Sequence, residues 1–323
     1  MQTLESLQQQ INRAFSELVF PAAPAELYEP IIYTMQLGGK RLRPLLALAS
    51  CDMFDGNIED AIHPAIGIEL LHNFTLLHDD LMDQAPLRRG KETVYKKWNA
   101  TIAILAGDTM FALSNRYMLR TRSEVIPPLL DLFNLTAVEV CEGQQYDMNF
   151  ETRDDVSIAE YIHMIRLKTA VLLACSLKTG AIIAGAEINQ AESLYNFGIN
   201  VGIAFQLMDD LLDVYGSADK FGKVTGGDIV ASKKTFLYLK ALELSGIEAG
   251  TFKDIYLSHD LSPDQKITAV RSHFDKLGIR DLTLQEINRY WDTAVDTMKS
   301  LGLPEEKSHL LMTYCAGLME RDY

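Results

Sequence analysis

Apolar residues recur at the three- and four-residue spacing of amphipathic helices along the whole 323-residue chain. No series of segments alternates between apolar and polar residues, as the strands of a half-buried sheet would. The pattern therefore predicts a chain that is nearly all helix, with one helix at about 61–82 and another at about 100–119.

Residues with known preferences for helix ends support this interpretation. Ser157 with Glu160, and Thr283 with Glu286, have the spacing of capping boxes at helix starts. Gly278 stands where a helix should stop, because glycine readily adopts the left-handed conformation found there. We therefore expect helices to begin near 157 and 283 and to end near 278.

The expected breaks between helices are short and lie at 21–24, 55–57, 84–91, 127–128, 151–155 and 216–232. None is long enough, or biased enough in composition, to act as a linker between domains. The sequence therefore predicts a single all-α domain over residues 1–323.

Composition narrows the classes of function. The chain is 48% apolar and 23% charged, as soluble globular proteins are. Its formal net charge of −14 argues against nucleic acid as a partner, because binding the phosphate backbone demands a cationic surface. An acidic protein that handles anions must concentrate its positive charge at defined points.

The chain is expected to be cytoplasmic and to have no transmembrane segment. Its four cysteines have no CxxC spacing and lie in apolar helical sequence, which is typical of free thiols in a reducing compartment. The first residues lack the basic and then apolar pattern of a signal peptide. The longest apolar run, at 169–177, is too short to span a bilayer.

Two stretches far apart in the chain, 79–83 and 209–213, read DDxxD inside apolar helical sequence. Carboxylates in such surroundings are costly to bury unless cations compensate their charge. On a helix the first and last aspartates of each motif share one face. We therefore predict that two helices form the halves of one divalent-cation site, with the ligands Asp79, Asp80, Asp83, Asp209, Asp210 and Asp213.

Clusters of glycine and cationic residues accompany these motifs. The segment 38–44 reads GGKRLRP, in which glycine backbone and arginine side chains suit a phosphate, although a solvated basic turn is an equally good interpretation. The segment 86–97 carries five cations after the first motif, which suits a polyanion held through metal, or it offsets the aspartates. A glycine-rich loop at 221–228 is a weak signal for phosphate binding. His72 lies on the same helix face as Asp79, which favours a functional role. A histidine without such neighbours on an apolar helix is usually a core residue.

Seven motifs in order resemble those of the trans-isoprenyl diphosphate synthases, the polyprenyl synthetase family. They are GGKRLRP, ELLHNFTLLHDDLMD, RRGKET, EGQQYD, RLKTA, FQLMDDLLD and GGDIVASKKT, and together they span about 38–235. The resemblance implies the all-α isoprenoid-synthase bundle around a deep central cavity, with a homodimer as the usual assembly. It also implies Mg²⁺-dependent, head-to-tail condensation of isopentenyl diphosphate with dimethylallyl, geranyl or farnesyl diphosphate, which releases pyrophosphate.

The resemblance also assigns roles to individual residues. The aspartates of both motifs would hold three Mg²⁺ ions against the allylic diphosphate, which would also be bound by Arg88, Lys168, Lys223 and Lys233. Isopentenyl diphosphate would be bound by Lys40, Arg43, His72 and Arg89. Polar oxygens at Thr169 and Gln206 would stabilise the carbocation. The catalytic set implied in this way is Asp79, Asp80, Asp83, Lys168, Thr169, Gln206 and Lys233.

Product length depends on side chains one turn before the first motif. An aromatic residue at Phe74 followed by the small Thr75 resembles the short-chain type that makes geranylgeranyl diphosphate. Phe111 on the next helix would narrow the cavity further and favour farnesyl diphosphate, and a longer polyprenyl product is a further alternative. Phe74 could also serve core packing alone.

Two other functions share parts of this pattern. A class I terpene cyclase has one DDxxD motif, but its second metal motif mixes Asn/Asp, Ser/Thr and Glu and it needs no second diphosphate pocket. Here the second motif is DDLLD and the segment GGKRLRP is present. A non-catalytic partner subunit usually lacks one aspartate cluster, whereas both are intact in this chain. The pattern thus favours a prenyl diphosphate synthase over both alternatives.

Overall fold

The computed structural model describes residues 2–216, 225–258 and 260–319, so Lys223 lies outside the described residues. The helices of the first half, numbered in chain order, are α1 (Leu4–Ser16), α2 (Ala25–Gln36), α3 (Leu42–Met53), α4 (Ile58–Met82), α5 (Val94–Lys97), α6 (Ala100–Met118), α7 (Ile126–Thr152) and α8 (Ile158–Ile165). Those of the second half are α9 (Val171–Ala184), α10 (Ile188–Tyr215), α11 (Gly227–Val230), α12 (Phe236–Leu244), α13 (Ala249–Leu257), α14 (Pro263–Lys276), α15 (Ile279–Ser300) and α16 (Glu305–Met319).

Other regular structure in the described part of the chain is short. A hairpin of two two-residue strands, β1 (Leu87–Arg88) and β2 (Lys91–Glu92), follows α4. One turn of π-helix, Arg166–Ala170, joins α8 to α9. The prediction of an all-α fold, including long helices at α4 and α6, is confirmed.

The capping predictions had different outcomes. Ser157 caps α8 in a capping box with Glu160, as predicted. The prediction for Thr283 was wrong, because α15 already begins at Ile279 and Thr283 is buried in its first turns, where its hydroxyl donates to the carbonyl of Ile279 at 2.8 Å. Gly278, with a φ of 67°, ends α14 as predicted, and the chain enters the next helix immediately after it.

The chain divides into two compact units, each built from separate segments. The first unit comprises Met1–Val138, Leu172–Asn196 and Met298–Thr313. The second comprises Glu139–Val171, Phe197–Thr297 and Tyr314–Tyr323. The expectation of a single domain stays a prediction.

Helix α4 is the centre of the first unit. All of its residues from Ala65 to Leu71 are buried, and both Ile68 and Leu70 have no exposed surface. It packs against α3 and α6, so its apolar side chains are covered on more than one side. Its C-terminal end carries the first aspartate motif and is therefore anchored by the core of this unit.

The second unit has an aromatic core between α12, α13 and α14. The rings of Tyr238 and Tyr256 stack with their centroids 4.1 Å apart, and Phe252 and Phe274 pack beside them. All four side chains are nearly or completely buried. This cluster fixes α13 and α14 relative to α12.

One helical stretch of the described residues, Ile158–Ala184, is long and apolar enough to cross a bilayer. Its most apolar window is 72% buried inside the protein, and core helices of soluble proteins have the same length and composition. The expectation that no segment spans a membrane stays a prediction.

Candidate active site

The last turn of α4 presents the first aspartate motif. Asp80 is 5% exposed, and the hairpin after α4 brings Arg88 back to it, with Nη2 at 2.5 Å and Nε at 3.0 Å from Oδ1. The two turn residues, Arg89 and Gly90, both have positive φ, of 53° and 75°, as a tight two-residue hairpin turn requires. Burial raises the pKa of Asp80, and the Arg88 guanidinium opposes that rise.

Three of the predicted diphosphate ligands of the first unit lie close together. Arg43 Nη1 lies 3.2 Å from Nε2 of His72. The guanidinium of Arg89 lies against Gly39, where a Cβ atom would come within 2.9 Å of it. Lys40 is exposed in the same loop before α3. The structure therefore groups three of the four side chains predicted to bind isopentenyl diphosphate, Arg43, His72 and Arg89.

The electrostatics of this group suit an anion. Burial, and then the charges of Arg43, Arg89 and Arg88, lower the pKa of His72 well below its ordinary value, so the imidazole is neutral at pH 7. Burial lowers the pKa of Arg43 to about 10, which leaves it charged. Among the described residues, the buried Nε of Arg43 has no hydrogen-bond partner. A phosphate oxygen would satisfy this donor and compensate the clustered charge.

Sequence reasoning missed Glu69, which lies one helical turn before His72 and is 6% exposed. Burial raises its pKa, while the charges of Arg43 and Arg89 and a 3.4 Å hydrogen bond from Asn73 Nδ2 oppose the rise. A buried carboxylate among arginines offsets part of their repulsion before a ligand binds. The available signal was an acidic residue inside an otherwise apolar helix.

The residues predicted to set product length are in contact. The ring centroids of Phe74 and Phe111 lie 5.4 Å apart, and the ring of His78 meets Phe74 edge-on at 4.8 Å. Gly107 makes room for His78, since a Cβ atom there would lie 2.2 Å from Nε2 of the imidazole. The hydroxyl of Thr75 donates to the carbonyl of His72 at 2.8 Å. The aromatic contact is compatible with a cavity floor, and that role stays a prediction.

The second aspartate motif lies near the end of α10. Asp210 is 5% exposed and accepts hydrogen bonds from the hydroxyl of Tyr161 and, at 3.0 Å, from Nε2 of Gln206. Burial, and then the charges of Asp228 and Asp209, raise its pKa well above the ordinary value. Each motif therefore has its middle aspartate buried against a partner from another element.

A π turn carries two further predicted residues. Lys168 donates to Asp147 Oδ2 at 2.5 Å, and the hydroxyl of Thr169 donates to Oε1 of Gln206 at 3.0 Å. Gly143 on α7 lets this turn approach closely, because a Cβ atom there would lie 2.3 Å from the backbone nitrogen of Lys168. A π turn inside a longer helical stretch often marks a functional site, since it displaces side chains from the regular helix surface.

Lys233 follows α11 and is exposed, with Nζ 3.7 Å from Oδ1 of Asp228. The backbone nitrogen of Asp228 donates to Oδ2 of Asp213 at 2.9 Å, which ties this segment to the second aspartate motif. The structure thus brings the lysine predicted for the allylic diphosphate near one of the motifs predicted to hold metal.

The donor set fits magnesium better than a metal bound by protein alone. Within residues 2–216, 225–258 and 260–319, no three histidine, cysteine or acidic side chains are grouped closely enough to enclose an ion. Mg²⁺ usually keeps several waters and is bound through one or two carboxylates together with substrate phosphates. Exposed and half-buried carboxylates such as Asp83 and Asp79 match that requirement. That the two motifs share one set of ions stays a prediction.

Comparisons with known proteins agree with this chemistry. The geranylgeranyl diphosphate synthase of Methanosarcina mazei is 36% identical over 97% of this chain and 95% of its own length. The geranylfarnesyl diphosphate synthase of Natronomonas pharaonis is 39% identical over 97% and 95% of the two chains. A crystal structure of a geranylgeranyl pyrophosphate synthase superimposes with a TM-score of 0.96 at 44% identity, with both chains covered completely.

The profile of the polyprenyl synthetase family matches residues 24–273, which is most of the chain. That family is in general Mg²⁺-dependent. The matched residues include both aspartate motifs and every described cation placed around them above. The chain belongs to the polyprenyl synthetase family.

Proposed function

We propose that the protein is a Mg²⁺-dependent prenyltransferase that makes geranylgeranyl diphosphate. It condenses isopentenyl diphosphate head-to-tail with dimethylallyl, geranyl and farnesyl diphosphate and releases pyrophosphate at each step. One observation supports the proposal most strongly. In each compact unit, cationic side chains lie beside a DDxxD motif near the end of a helix. In a chain with a net charge of −14, such placement is best explained by phosphate ligands.

The proposed metal ligands are the carboxylates of Asp79, Asp80, Asp83, Asp209, Asp210 and Asp213. Three Mg²⁺ ions bound there would neutralise the negative charge that develops on the diphosphate as its C–O bond ionises. Arg88, Lys168 and Lys233 are proposed to bind the same diphosphate, and Lys223, which lies outside the described residues, is proposed to assist.

Isopentenyl diphosphate is proposed to bind through Lys40, Arg43, His72 and Arg89. The close contact between Arg43 and His72 supports this assignment. A neutral imidazole can accept a hydrogen bond from Arg43 and still donate one to a phosphate oxygen through its other nitrogen. The clustered cations hold the second substrate without any covalent bond to the protein.

The reaction breaks the C1–O bond of the allylic substrate, and the bonding pair leaves with the diphosphate. The double-bond electrons of isopentenyl diphosphate then form the new C–C bond to the allylic cation, and the released pyrophosphate takes the proton from C2. Thr169 donates its hydroxyl hydrogen to Gln206, so its oxygen lone pairs can face the electron-poor carbon. Positioning and electrostatics supply the catalysis, and no nucleophilic side chain is involved.

The product length is proposed from the contact between Phe74 and Phe111. Two aromatic rings side by side would close the cavity below a growing chain, because neither can be compressed. Farnesyl diphosphate would result if the floor is higher than proposed, and a longer polyprenyl diphosphate would result if it is lower.

We also propose a homodimer in the cytoplasm. Two helices of the first unit expose bulky aliphatic side chains: Ile104 and Leu105 on α6, and Leu135 and Val138 on α7, each 47–58% exposed. Exposed apolar surface of this kind is typical of an oligomer interface. All four cysteines are free thiols, which supports a reducing compartment. Light scattering of the purified protein should give twice the mass of one chain. The substitution Leu135→Lys should lower the measured mass toward that of a single chain.

The proposed function is tested by incubating the purified full chain with Mg²⁺, isopentenyl diphosphate and each allylic primer in turn. Products are hydrolysed to alcohols and sized by mass spectrometry. We expect geranylgeraniol as the main product, and no product when a chelator removes Mg²⁺ or when the substitution is Asp79→Asn. Formation of a cyclic hydrocarbon from the allylic substrate alone would support a terpene cyclase instead, and no product from any primer would contradict catalysis altogether.

A further inference from the structure

The turn that carries Lys233, residues 230–233, has an unfavourable backbone conformation at Ser232, whose φ is 56°. A non-glycine residue in this left-handed region is strained, and the conformation persists only where surrounding contacts enforce it. The contacts that hold this turn therefore determine where Lys233 lies.

Lys266 on α14 supplies two of these contacts. Its Nζ donates to the hydroxyl oxygen of Ser232 at 2.7 Å and to the carbonyl of Val230 at 3.3 Å. The side chain is 3% exposed, and burial lowers the pKa of its ammonium group. A buried ammonium is costly unless its donors are satisfied, and the two acceptors of Lys266, Ser232 Oγ and the Val230 carbonyl, both belong to this turn.

Tyr256 on α13 holds the same turn from a neighbouring helix. Its hydroxyl donates to the carbonyl of Lys233 at 2.5 Å, and its own carbonyl accepts from the hydroxyl of Ser232 at 3.1 Å. The Nζ of Lys266 lies 5.8 Å from the centre of the Tyr256 ring. Ser232 thus accepts from one helix and donates to the other, which fixes the rotation of its hydroxyl.

The opposite end of α11 is also anchored. Asp213 accepts from the backbone nitrogen of Asp228 at 2.9 Å, and Ile267 packs where a Cβ atom at Gly226 would come within 2.7 Å. The Asp213 carboxylate accepts from a backbone N–H at the start of this one-turn helix, and the Lys266 ammonium donates to the Val230 carbonyl at its end. The segment from Gly226 to Lys233 is therefore held at both ends.

We propose that Lys266 and Tyr256 are positioning residues that set the backbone of Lys233 for binding the allylic diphosphate. This rests on the proposed function, in which Lys233 is one of the groups that bind that diphosphate. Lys266 and Tyr256 act through the turn and contact no substrate. The helices after residue 236, which carry none of the predicted site residues, would then contribute to substrate affinity.

The test measures the Michaelis constants of Lys266→Met for both substrates. Methionine keeps the unbranched chain as far as Cε and removes the charge and the hydrogen bonds of Nζ. We expect the KM for farnesyl diphosphate to rise about tenfold, as loss of a well-placed charged contact does, and the KM for isopentenyl diphosphate to stay within about twofold. In a Lys233→Ala background, Lys266→Met should have no further effect on the farnesyl diphosphate KM, because the group that it positions is gone.

Lys240→Met is the matched control. Lys240 lies on α12 of the same unit and pairs with Glu243 at 3.2 Å, so its loss should leave both Michaelis constants unchanged. Tyr256→Phe removes the bond to the Lys233 carbonyl alone, and it should show the same selective effect. If circular dichroism shows that Lys266→Met does not fold, Tyr256→Phe replaces it in the test.

Limited trypsin digestion tests the positioning without turnover, because trypsin cleaves after lysine. Cleavage after Lys233 in the native protein should be faster in Lys266→Met and Tyr256→Phe than in wild type or Lys240→Met. An inactive wild type would contradict the proposed function, and the digestion would still decide whether the two residues hold the turn. Equal rises in both Michaelis constants, additivity with Lys233→Ala or unchanged cleavage would overturn the proposal.

Discussion

Arg88 and Asp80 form a two-pronged ion pair between the hairpin and the last turn of α4, with Nη2 and Nε of the guanidinium at 2.5 and 3.0 Å from one carboxylate oxygen. The carboxylate is almost fully buried, whereas the Arg88 side chain is 30% exposed. The guanidinium therefore compensates a buried charge on one side and can face a solvent-borne anion on the other.

Because of this geometry, Arg88→Lys tests whether the planar guanidinium, and not the charge alone, is required. Lysine keeps the charge and loses the planar fork, so it cannot reach Asp80 and a diphosphate in the same way. We expect the KM for the allylic diphosphate to rise about tenfold and the free energy of unfolding to fall by about 1–2 kcal/mol. Steady-state kinetics and urea denaturation measure the two effects.

Arg153→Lys is the control for that change. Arg153 also makes two ion pairs, with Asp155 and Glu160 at 2.9 Å each, but it lies on the surface of the other unit. Its substitution should leave the KM for both substrates unchanged. An equal effect of the two substitutions on the KM for the allylic diphosphate would show that the Arg88 guanidinium has no specific role in binding it.

Phe74→Ala should lengthen the product. The ring centroids of Phe74 and Phe111 lie 5.4 Å apart, and removal of the whole Phe74 ring opens space one turn before the first aspartate motif. Mass spectrometry of the hydrolysed products should show chains longer than geranylgeraniol. Ile188→Ala, a change at the exposed first residue of α10, should leave the distribution unchanged. An unaltered distribution in Phe74→Ala would assign that ring to core packing.

Local sequence predicted the parts of the fold that local physics decides. Helical periodicity located α4 and α6, and glycine at 278 ended α14, because both signals depend on neighbouring residues. The pattern at Thr283 was misleading, because an S/T-x-x-E spacing can also occur inside a helix that has already begun. The π turn at Arg166–Ala170 has no signal of its own in periodicity.

The candidate site was predictable where chemistry is concentrated in a motif and was missed where partners come from distant segments. The aspartates could be found because three carboxylates in an apolar run need an explanation. Tyr161 as the partner of Asp210, and Lys266 as the partner of Ser232, depend on tertiary packing that brings separate helices together. Glu69 looked like an isolated acid until the structure placed Arg43 and Arg89 near it.

Gly143→Ala tests the close packing of α7 against the π turn. The added methyl group would lie 2.3 Å from the backbone nitrogen of Lys168, so α7 or the turn must move. Such overpacking costs about 1–3 kcal/mol, and it should displace Lys168 and Thr169 and lower kcat at least about tenfold. Gly250→Ala, in α13 with no atom within 4 Å of the new methyl, should leave kcat unchanged and stabilise the fold by up to about 1 kcal/mol.

His72 should make the fold sensitive to mild acid. Its pKa in the folded protein is lowered well below the ordinary value of 6.5 by burial and by three arginines. As the pH falls below about 6.5, the unfolded chain takes up a proton at His72 and the folded chain does not, so the free energy of unfolding decreases. The stability linked to His72 is therefore complete above this pH and declines toward the lower, folded pKa.

His72→Gln cannot take up the proton, so urea denaturation between pH 8 and pH 5 should give a smaller decrease in the free energy of unfolding in this variant than in wild type. His309→Gln, an exposed change on α16 of the same unit, should retain the wild-type slope. Parallel curves for wild type and His72→Gln would mean that the imidazole takes up its proton equally in both states, and the neutral His72 inferred between Arg43 and the phosphate ligand would be excluded.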